Sequence, residues 1–203
     1  ITDVKGIKAT GISAKLKKSG KKDMALIYSE EKAVSAAVFT KNLAKAAPVI
    51  LDIKHINNEN TQAIVVNSGN ANSCTGDTGL ANARKMTELV ADKLGLKAEE
   101  VLVQSTGIIG VQLDMKKIEN GIEKVVENLS EDGGIDAATA IMTTDTFVKQ
   151  ICLEIEIAGK KAKVAGMCKG SGMIHPNMAT MLSFTVTDVN IEKSLLQKMF
   201  SEI

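Results

Sequence analysis

Stretches of alternating or continuous apolar residues recur along the chain at lengths typical of β-strands. Met24 to Tyr28 is a short apolar run that suits a buried strand, and residues 33–40 alternate well enough to pair with it. Thr61 to Val66 is β-branched and apolar, and Val101 to Gln104 is a further strand candidate. A proline breaks the pattern before residues 49–53, which predicts an edge element there.

Apolar residues at helical spacing predict four helices. The clearest one runs from Leu80 to Leu94, where Gly95 provides the C-terminal stop. Asp114 is placed to cap a second helix, and residues 135–142 form a short third one. Asn190 is placed to cap a fourth helix near the end of the sequence.

From Val148 the apolar period changes from that of a helix to that of a strand. A turn at residues 159–160 and a return strand at residues 161–167 predict a β-hairpin, and residues 181–187 alternate as a further strand. By contrast, the lysine-rich residues 17–22 are typical of a solvated turn. Because strands and helices are interleaved and a hairpin is present, the pattern predicts an α/β or α+β fold with a mixed sheet.

Composition narrows the classes of function. The 203 residues suffice for one domain with a sizeable core. A net charge of +1 and an aromatic content of 2% without tryptophan argue against a nucleic-acid partner. The sequence has neither an apolar run long enough to span a membrane nor a signal peptide. We therefore expect no membrane partner and a cytoplasmic protein.

The cysteines and histidines do not form a recognisable pattern. Cys74, Cys152 and Cys168 are odd in number and lack C-x-x-C spacing, which favours free thiols in a reducing compartment. The two histidines, His55 and His175, lie far apart in the sequence. We therefore expect no metal site.

The candidate chemistry centres on the segment from Lys169 to Leu182, which reads K-G-S-G-M-I-H-P-N-M-A-T-M-L. Its glycines and proline predict a loop, so Thr180, directly behind Ala179, stands where the loop meets the next strand. If the Ala179–Thr180 bond were cut, Thr180 would carry both a hydroxyl and an α-amine, whose reference pKa of about 7.7–8.0 suits a general base. The alternatives are a strand-initiating threonine without chemistry and a nucleotide-binding loop. Lys169 precedes the glycines, however, whereas a phosphate-binding loop places its lysine after them.

Four further positions offer contacts for an acyl-transfer reaction. Gly107 lacks a side chain, so its N–H can approach a ligand oxygen, and the Thr106 hydroxyl beside it supplies a second donor for an oxyanion. Lys169 can hold a carboxylate, and Thr143 can hydrogen-bond it nearby. Each also has an ordinary interpretation, as a strand-end turn, a surface lysine or a helix-capping threonine.

The Lys169–Leu182 segment resembles the self-cleavage segment of the ornithine acetyltransferase family, the glutamate N-acetyltransferases of arginine biosynthesis. Four other motifs resemble that family in the expected order: G-I-K-A-T-G-I-S-A, V-N-S-G-N-A-N-S-C-T-G, S-T-G-I-I-G and M-T-T-D-T. The resemblance covers essentially the whole chain, which corresponds to about the first half of such an enzyme. It implies an α-β-β-α sandwich, in which helical layers enclose two sheets, of the ornithine acetyltransferase or N-terminal-nucleophile aminopeptidase type.

The resemblance also implies an activity, the transfer of an acetyl group from N2-acetyl-L-ornithine to L-glutamate through an acetyl-threonine. Matched residue by residue, Thr180 is the nucleophile and Thr106 and Gly107 are the oxyanion pair. Thr143, Lys169 and Thr180 match positions that contact substrate. No cofactor is implied, and whether acetyl-CoA serves as a second donor stays open.

The same resemblance predicts how the chain is divided. Residues 1–203 would be a portion of one catalytic domain, with residues 1–179 as an alpha-chain region and residues 180–203 as the start of a truncated beta-chain region. The implied partner is the C-terminal half of the same precursor, in a heterotetramer of two alpha and two beta chains. We expect the bond between the two regions to be uncut in this chain, and the chain to be inactive without that half. His175 is then a loop residue, because the family uses the N-terminal amine as the base.

Two other functions are compatible with the sequence. The first is an N-terminal-nucleophile amidase or aminopeptidase of similar fold, in which water accepts the acyl group. The second is an inert half that acts only when its partner half docks.

Overall fold

Two β-sheets organise the chain. The computed structural model describes residues 1–173 and 180–202, and the structural statements below refer to these residues. The first sheet has the order β1 (Ile7–Ile12), β2 (Met24–Ala33), β3 (Thr61–Asn70) and β4 (Val101–Ile108). β2 runs antiparallel to both of its neighbours, β1 and β3, whereas β4 runs parallel to β3. A parallel pair requires a crossover connection, and a helix between β3 and β4 provides it.

The second sheet consists of the antiparallel strands β5 (Lys149–Ile157), β6 (Lys160–Lys169) and β7 (Leu182–Thr187). The predicted hairpin is therefore confirmed. Two pairs of opposite charge lie directly across it: Lys161 with Glu156 and Lys163 with Glu154.

Five α-helices occur in the described residues, and three of them cover one face of the first sheet. These are α1 (Ala47–His55), α2 (Gly76–Leu94) and α3 (Met115–Glu127). α4 (Gly134–Ala140) lies on the opposite face, and α5 (Lys193–Glu202) follows β7. None of the helices in this part of the chain combines the length and the apolar composition needed to cross a bilayer.

Both faces of the first sheet are buried. On one face, Leu26, Val65 and Val103 pack against α1, α2 and α3. On the other face, Val66 belongs to a cluster that includes α4 and Phe184 of the second sheet. The chain is therefore layered as helices, sheet and sheet, which confirms the predicted mixed α/β class.

The outer face of the second sheet carries an apolar stripe. Ile151 and Leu153 of β5 are 60% and 52% exposed. Their positions in the strand register are opposite to the face that carries Met167 and Phe184. The expected α-β-β-α sandwich has a second helical layer on this outer face, and the described residues do not supply it.

Two helix signals in the sequence are confirmed by the structure. Gly95 has the left-handed φ of 69° at the end of α2, as a C-terminal glycine stop requires. The Asp114 side chain accepts a hydrogen bond from the Lys117 N–H and so caps α3. α2 begins at Gly76, earlier than the apolar pattern predicts.

Three predictions of secondary structure are wrong. Residues 34–40 form no strand, because β2 pairs instead with β1 and β3. Residues 49–53 lie inside α1, where Pro48 occupies the first turn and needs no backbone hydrogen-bond partner. α5 begins after the Glu192 carboxylate, which accepts the N–H groups of its first turn, and not at Asn190.

Candidate active site

The free edge of β4 is held by α1. The Val103 N–H donates to the Asp52 carboxylate at 2.9 Å, and the Gln104 side chain donates to the same group at 2.6 Å. Burial raises the pKa of Asp52 to about 8, because these two hydrogen bonds offset the loss of water only in part. Asp52 thereby fixes the strand directly before residues 105–107.

Gly107 lies near the end of β4, directly beside Gly69 of β3, at a point where the register of the two strands becomes irregular. A Cβ at Gly107 would lie 2.3 Å from the backbone carbon of Gly69, and its φ is 137°. Only glycine fits this close approach of β3 and β4. The residue is exposed and restricted to glycine, and its role as an oxyanion donor stays a prediction.

The Thr106 side chain faces the space between the two sheets. In the parallel register Thr106 lies beside Ser68, whose hydroxyl donates to the Ala140 carbonyl of α4. Neighbours in a sheet share a face, so Thr106 also lies on the side of α4 and the second sheet. Thr106 is buried, and its hydroxyl makes no hydrogen bond within the described residues.

Asp145 joins three segments around Lys169. One of its carboxylate oxygens accepts the Gly170 N–H at 2.7 Å and the Lys149 ammonium at 2.8 Å. The other oxygen accepts the Thr143 N–H at 3.1 Å. Burial alone would raise the pKa of Asp145, but these hydrogen bonds outweigh it and hold the pKa well below its usual range. The backbone at Thr143 and the backbone directly after Lys169, two positions predicted separately, are thus bonded to one carboxylate.

Lys169 is the last residue of β6 and is only 4% exposed. Its position alternates with Ala165 and Met167, so it lies on the inner face of the second sheet. Burial lowers the pKa of its ammonium, although the charge of Asp145 acts in the opposite direction. Within the described residues the ammonium has no hydrogen-bond acceptor. Among the described residues this ammonium forms no ion pair, although Asp145 lies near enough to act on its charge, and a largely buried lysine of this kind can bind an anion such as a carboxylate.

One lysine of the predicted solvated turn contradicts that prediction. The Lys17 ammonium donates to the carbonyls of Met142 at 2.7 Å and Lys22 at 2.8 Å, and burial lowers its pKa. The reason is Asp23, a fully buried carboxylate that accepts the N–H groups of Ala14, Leu16 and Lys17 and folds the turn inward. Lys17 is therefore anchored directly before Thr143.

The segment that leads to Thr180 is described only in part. Thr144 and Ser171 share a hydrogen bond of 2.7 Å between their hydroxyls, and the Thr180 hydroxyl donates to the Met173 carbonyl. Residues 174–179 lie outside the described part of the chain. The predicted cleavage position at Ala179, the expectation of an intact bond there and the role of His175 therefore stay predictions.

The fold is shared with proteins of the Ntn hydrolase type. The chain aligns with the l-aminopeptidase d-ala-esterase/amidase from Ochrobactrum anthropi, described as a variant of the Ntn hydrolase fold, at a TM-score of 0.56. The alignment covers 98% of this chain and 65% of that one, at 13% identity, so it supports the fold alone.

Within this fold the family is defined by sequence. A model of the ArgJ family matches residues 8–203, and the chain belongs to the ArgJ family. The arginine biosynthesis bifunctional protein ArgJ of Caldanaerobacter subterraneus subsp. tengcongensis is 55% identical over 97% of this chain and 48% of its own length. The chain spans about half the length of the curated relatives it matches.

Solved structures of relatives share the architecture at higher identity. The bifunctional protein ArgJ of Bacillus halodurans aligns with a TM-score of 0.82 and 41% identity, over 88% of this chain and 94% of that one. The ornithine acetyltransferase of Mycobacterium tuberculosis, solved in complex with ornithine, has a TM-score of 0.77 and 36% identity over 90% of this chain and 95% of that one.

Sequence reasoning missed two residues that hold the site together. Asp145 lies within the M-T-T-D-T motif, so the motif was a signal, but nothing in local spacing reveals its bond to Gly170. Lys17 gives no signal at all, because its acceptor at Met142 lies 125 positions away.

Proposed function

We propose that the protein is a self-processing acetyltransferase that moves an acetyl group from N2-acetyl-L-ornithine to L-glutamate. In this proposal Thr180 is the nucleophile, and Thr106 and Gly107 donate hydrogen bonds to the oxyanion. Lys169 and Thr143 hold the substrate carboxylate. Membership of the ArgJ family supports the reaction class. The C-terminal half of the precursor is the proposed partner, in an assembly of two alpha and two beta chains.

The observation that carries the proposal is the shared orientation of Thr106 and Lys169. Thr106 faces the second sheet from the first, and Lys169 lies on the inner face of the second. A neutral donor of the first sheet and a cation of the second, which forms no ion pair within the described residues, therefore lie on the facing sides of the two sheets. An acetylated amino acid needs this pair, because its carboxylate carries a full charge and its reacting carbonyl becomes an oxyanion.

Self-processing frees the amine that the transfer reaction requires. The Thr180 hydroxyl oxygen attacks the Ala179 carbonyl carbon, the peptide C–N bond breaks, and the nitrogen takes up a proton as an amine. Water then hydrolyses the resulting ester, which restores the hydroxyl and leaves a carboxylate on Ala179. Thr180 becomes a chain start with a free α-amine, as an N-terminal nucleophile requires.

Acetyl transfer follows in two matched steps. The α-amine takes the Thr180 hydroxyl proton as the oxygen attacks the acetyl carbonyl, and the oxyanion receives hydrogen bonds from Thr106 and Gly107. The amide C–N bond breaks, the proton passes to the leaving nitrogen, and ornithine departs. The glutamate amine then attacks the acetyl ester and releases the Thr180 hydroxyl. No cofactor takes part. Acetyl-CoA is a candidate second donor, whose acetyl group the free Thr180 hydroxyl would accept to form the same ester while CoA leaves as its thiol.

Intact mass and acetyl transfer test the proposal on the protein at the full length of its relatives. The unmodified protein should split before Thr180 and convert N-acetylornithine and glutamate into ornithine and N-acetylglutamate. Thr180→Ala should stay one chain without activity, and Thr180→Ser should keep part of the cleavage and part of the acetyl transfer. Thr185→Ala, which removes an exposed hydroxyl from the following strand, is the matched control.

Three outcomes would lead to other conclusions. Efficient cleavage of Thr180→Ala would exclude the Thr180 hydroxyl as the attacking group. Release of ornithine and acetate without N-acetylglutamate would favour the amidase alternative, with water as acceptor. Activity that appears only after the C-terminal half is added to residues 1–203 would identify this chain as an inert half on its own.

A further inference from the structure

Asp145 is placed to act on Lys169 in two ways. Its bond to the Gly170 N–H fixes the end of β6 directly after Lys169. Its negative charge also lies near the Lys169 ammonium, which it helps to keep protonated against the effect of burial. The same carboxylate holds Thr143, so both proposed substrate contacts depend on one side chain.

We propose that Asp145 is a positioning residue that holds the backbone at Thr143 and directly after Lys169, and so keeps both residues in place for a substrate carboxylate. The inference rests on the proposed function, because it takes a carboxylate-bearing substrate at Lys169. Asp145 itself does not touch the substrate, since its two oxygens are occupied by Gly170, Lys149 and Thr143.

The charged groups around Lys169 have opposite effects on its protonation. Asp145 raises the pKa of Lys169, whereas Lys149 of β5 lowers it. Lys17, from the turn between β1 and β2, is also close enough for mutual repulsion with Lys169. Removing the Asp145 charge should therefore make Lys169 lose its proton at lower pH. Removing the Lys149 charge should have the opposite effect.

Ornithine binding tests the inference independently of turnover. We would measure the dissociation constant of ornithine by calorimetry between pH 7 and pH 10, using the processed full-length protein. The amines of ornithine titrate equally in every variant, so only differences between variants count. The variants are Asp145→Asn, Lys149→Met and, as a matched control, Asp188→Asn. Asp188 also accepts a backbone N–H in the second sheet, that of Lys163 at 2.8 Å.

Asp145→Asn should weaken ornithine binding roughly tenfold or more, because an amide replaces one oxygen with a donor and at least one of the three bonds is lost. The alkaline loss of binding should begin at lower pH in Asp145→Asn and at higher pH in Lys149→Met. Asp188→Asn should leave both the dissociation constant and its pH profile unchanged.

The inference is supported if the pH at which ornithine binding is lost falls in Asp145→Asn and rises in Lys149→Met. General structural damage would move this pH in the same direction in both variants. Equal profiles in Asp145→Asn and the unmodified protein would overturn it. If Asp145→Asn does not fold, the result for Lys149→Met is decisive. The inference is overturned if this variant loses ornithine binding at the same pH as the unmodified protein or at a lower pH. Failure of the proposed function is distinguishable. In that case the unmodified protein transfers no acetyl group to glutamate, while ornithine binding still depends on Asp145 and Lys149.

Discussion

The buried Asp52 carboxyl should make the protein less stable as the pH rises. Its pKa is raised from the ordinary value of 3.8 to about 8 in the folded chain, whereas the unfolded chain exposes it to water. Below pH 3.8 both states hold the proton, and above pH 8 both have lost it. Between these limits only the unfolded state releases the proton, so unfolding is favoured by about 1.4 kcal/mol for each pH unit.

The perturbation that isolates this effect is Asp52→Asn. The asparagine is neutral at every pH, can accept the Val103 N–H with its oxygen, and can donate to Gln104 after that amide turns over. Relative to the unmodified protein, Asp52→Asn should gain roughly 3 kcal/mol of stability between pH 5 and pH 7, which is two pH units at the slope above. At pH 4 the two proteins should be nearly equal.

Urea unfolding followed by circular dichroism at pH 5, 6 and 7 measures this difference. Both proteins should carry Thr180→Ala, so that the chain stays uncut and dissociation does not complicate unfolding. Asp92→Asn, which removes an exposed carboxyl from α2, is the control: it measures how much the loss of a negative charge alone changes the stability. A stability difference that is the same at pH 5 and pH 7 would refute the reasoning, since it would mean that Asp52 titrates alike in both states.

Three further substitutions test other parts of the structure. Thr106→Ala should lower turnover by up to about a hundredfold with little change in the Michaelis constant, as expected for an oxyanion donor, and steady-state kinetics would contradict this if only binding changed. Lys169→Ala should mainly raise the Michaelis constant, because a carboxylate contact exists in ground and transition states alike, and a pure loss of turnover would argue against that role. Gly121→Ala should lower stability by about 1–3 kcal/mol in a thermal melt despite better helix propensity, since the new Cβ would lie 2.7 Å from the Met24 sulfur. Combining Gly121→Ala with Met24→Ala should relieve part of the packing strain, because the contact with the Met24 sulfur is removed. An unchanged melting temperature in Gly121→Ala alone would contradict the expected clash.

Much of the fold could be predicted from local pattern, whereas β1 and α1 were missed for two different physical reasons. α2 and α3 carry their apolar stripe and caps within one segment, so periodicity suffices. β1 was not predictable in this way, because it lies within the Gly- and Lys-rich residues 1–23 and becomes a strand only through pairing with β2. α1 was missed because Pro48 ends most apolar patterns but fits the first turn of a helix.

The candidate site divides in the same manner. Thr106, Gly107, Thr143 and Lys169 lie in short motifs, and the strand registers place Thr106 and Lys169 on the facing sides of the two sheets. Periodicity did not predict the role of Asp145, because its hydrogen bond to Gly170 joins residues that are 25 positions apart. Such a long-range contact is set by the pairing of β5 with β6, which no local window contains.

The pairing of β7 has a mechanical consequence for a chain that is cut before Thr180. Leu182 lies directly opposite Lys169, and five further pairs continue the ladder to Thr187. At the far end, the Lys193 ammonium binds the carbonyls of Ile56 and Asn58 beyond α1. The covalent connection between β6 and β7 is therefore not needed to hold the two strands together. The hydrogen-bonded pairs between them keep Thr180 at a high effective concentration beside Lys169. A cut before Thr180 would remove the requirement that the loop join β6 to β7, and the new N-terminus at Thr180 would remain at the position where it formed.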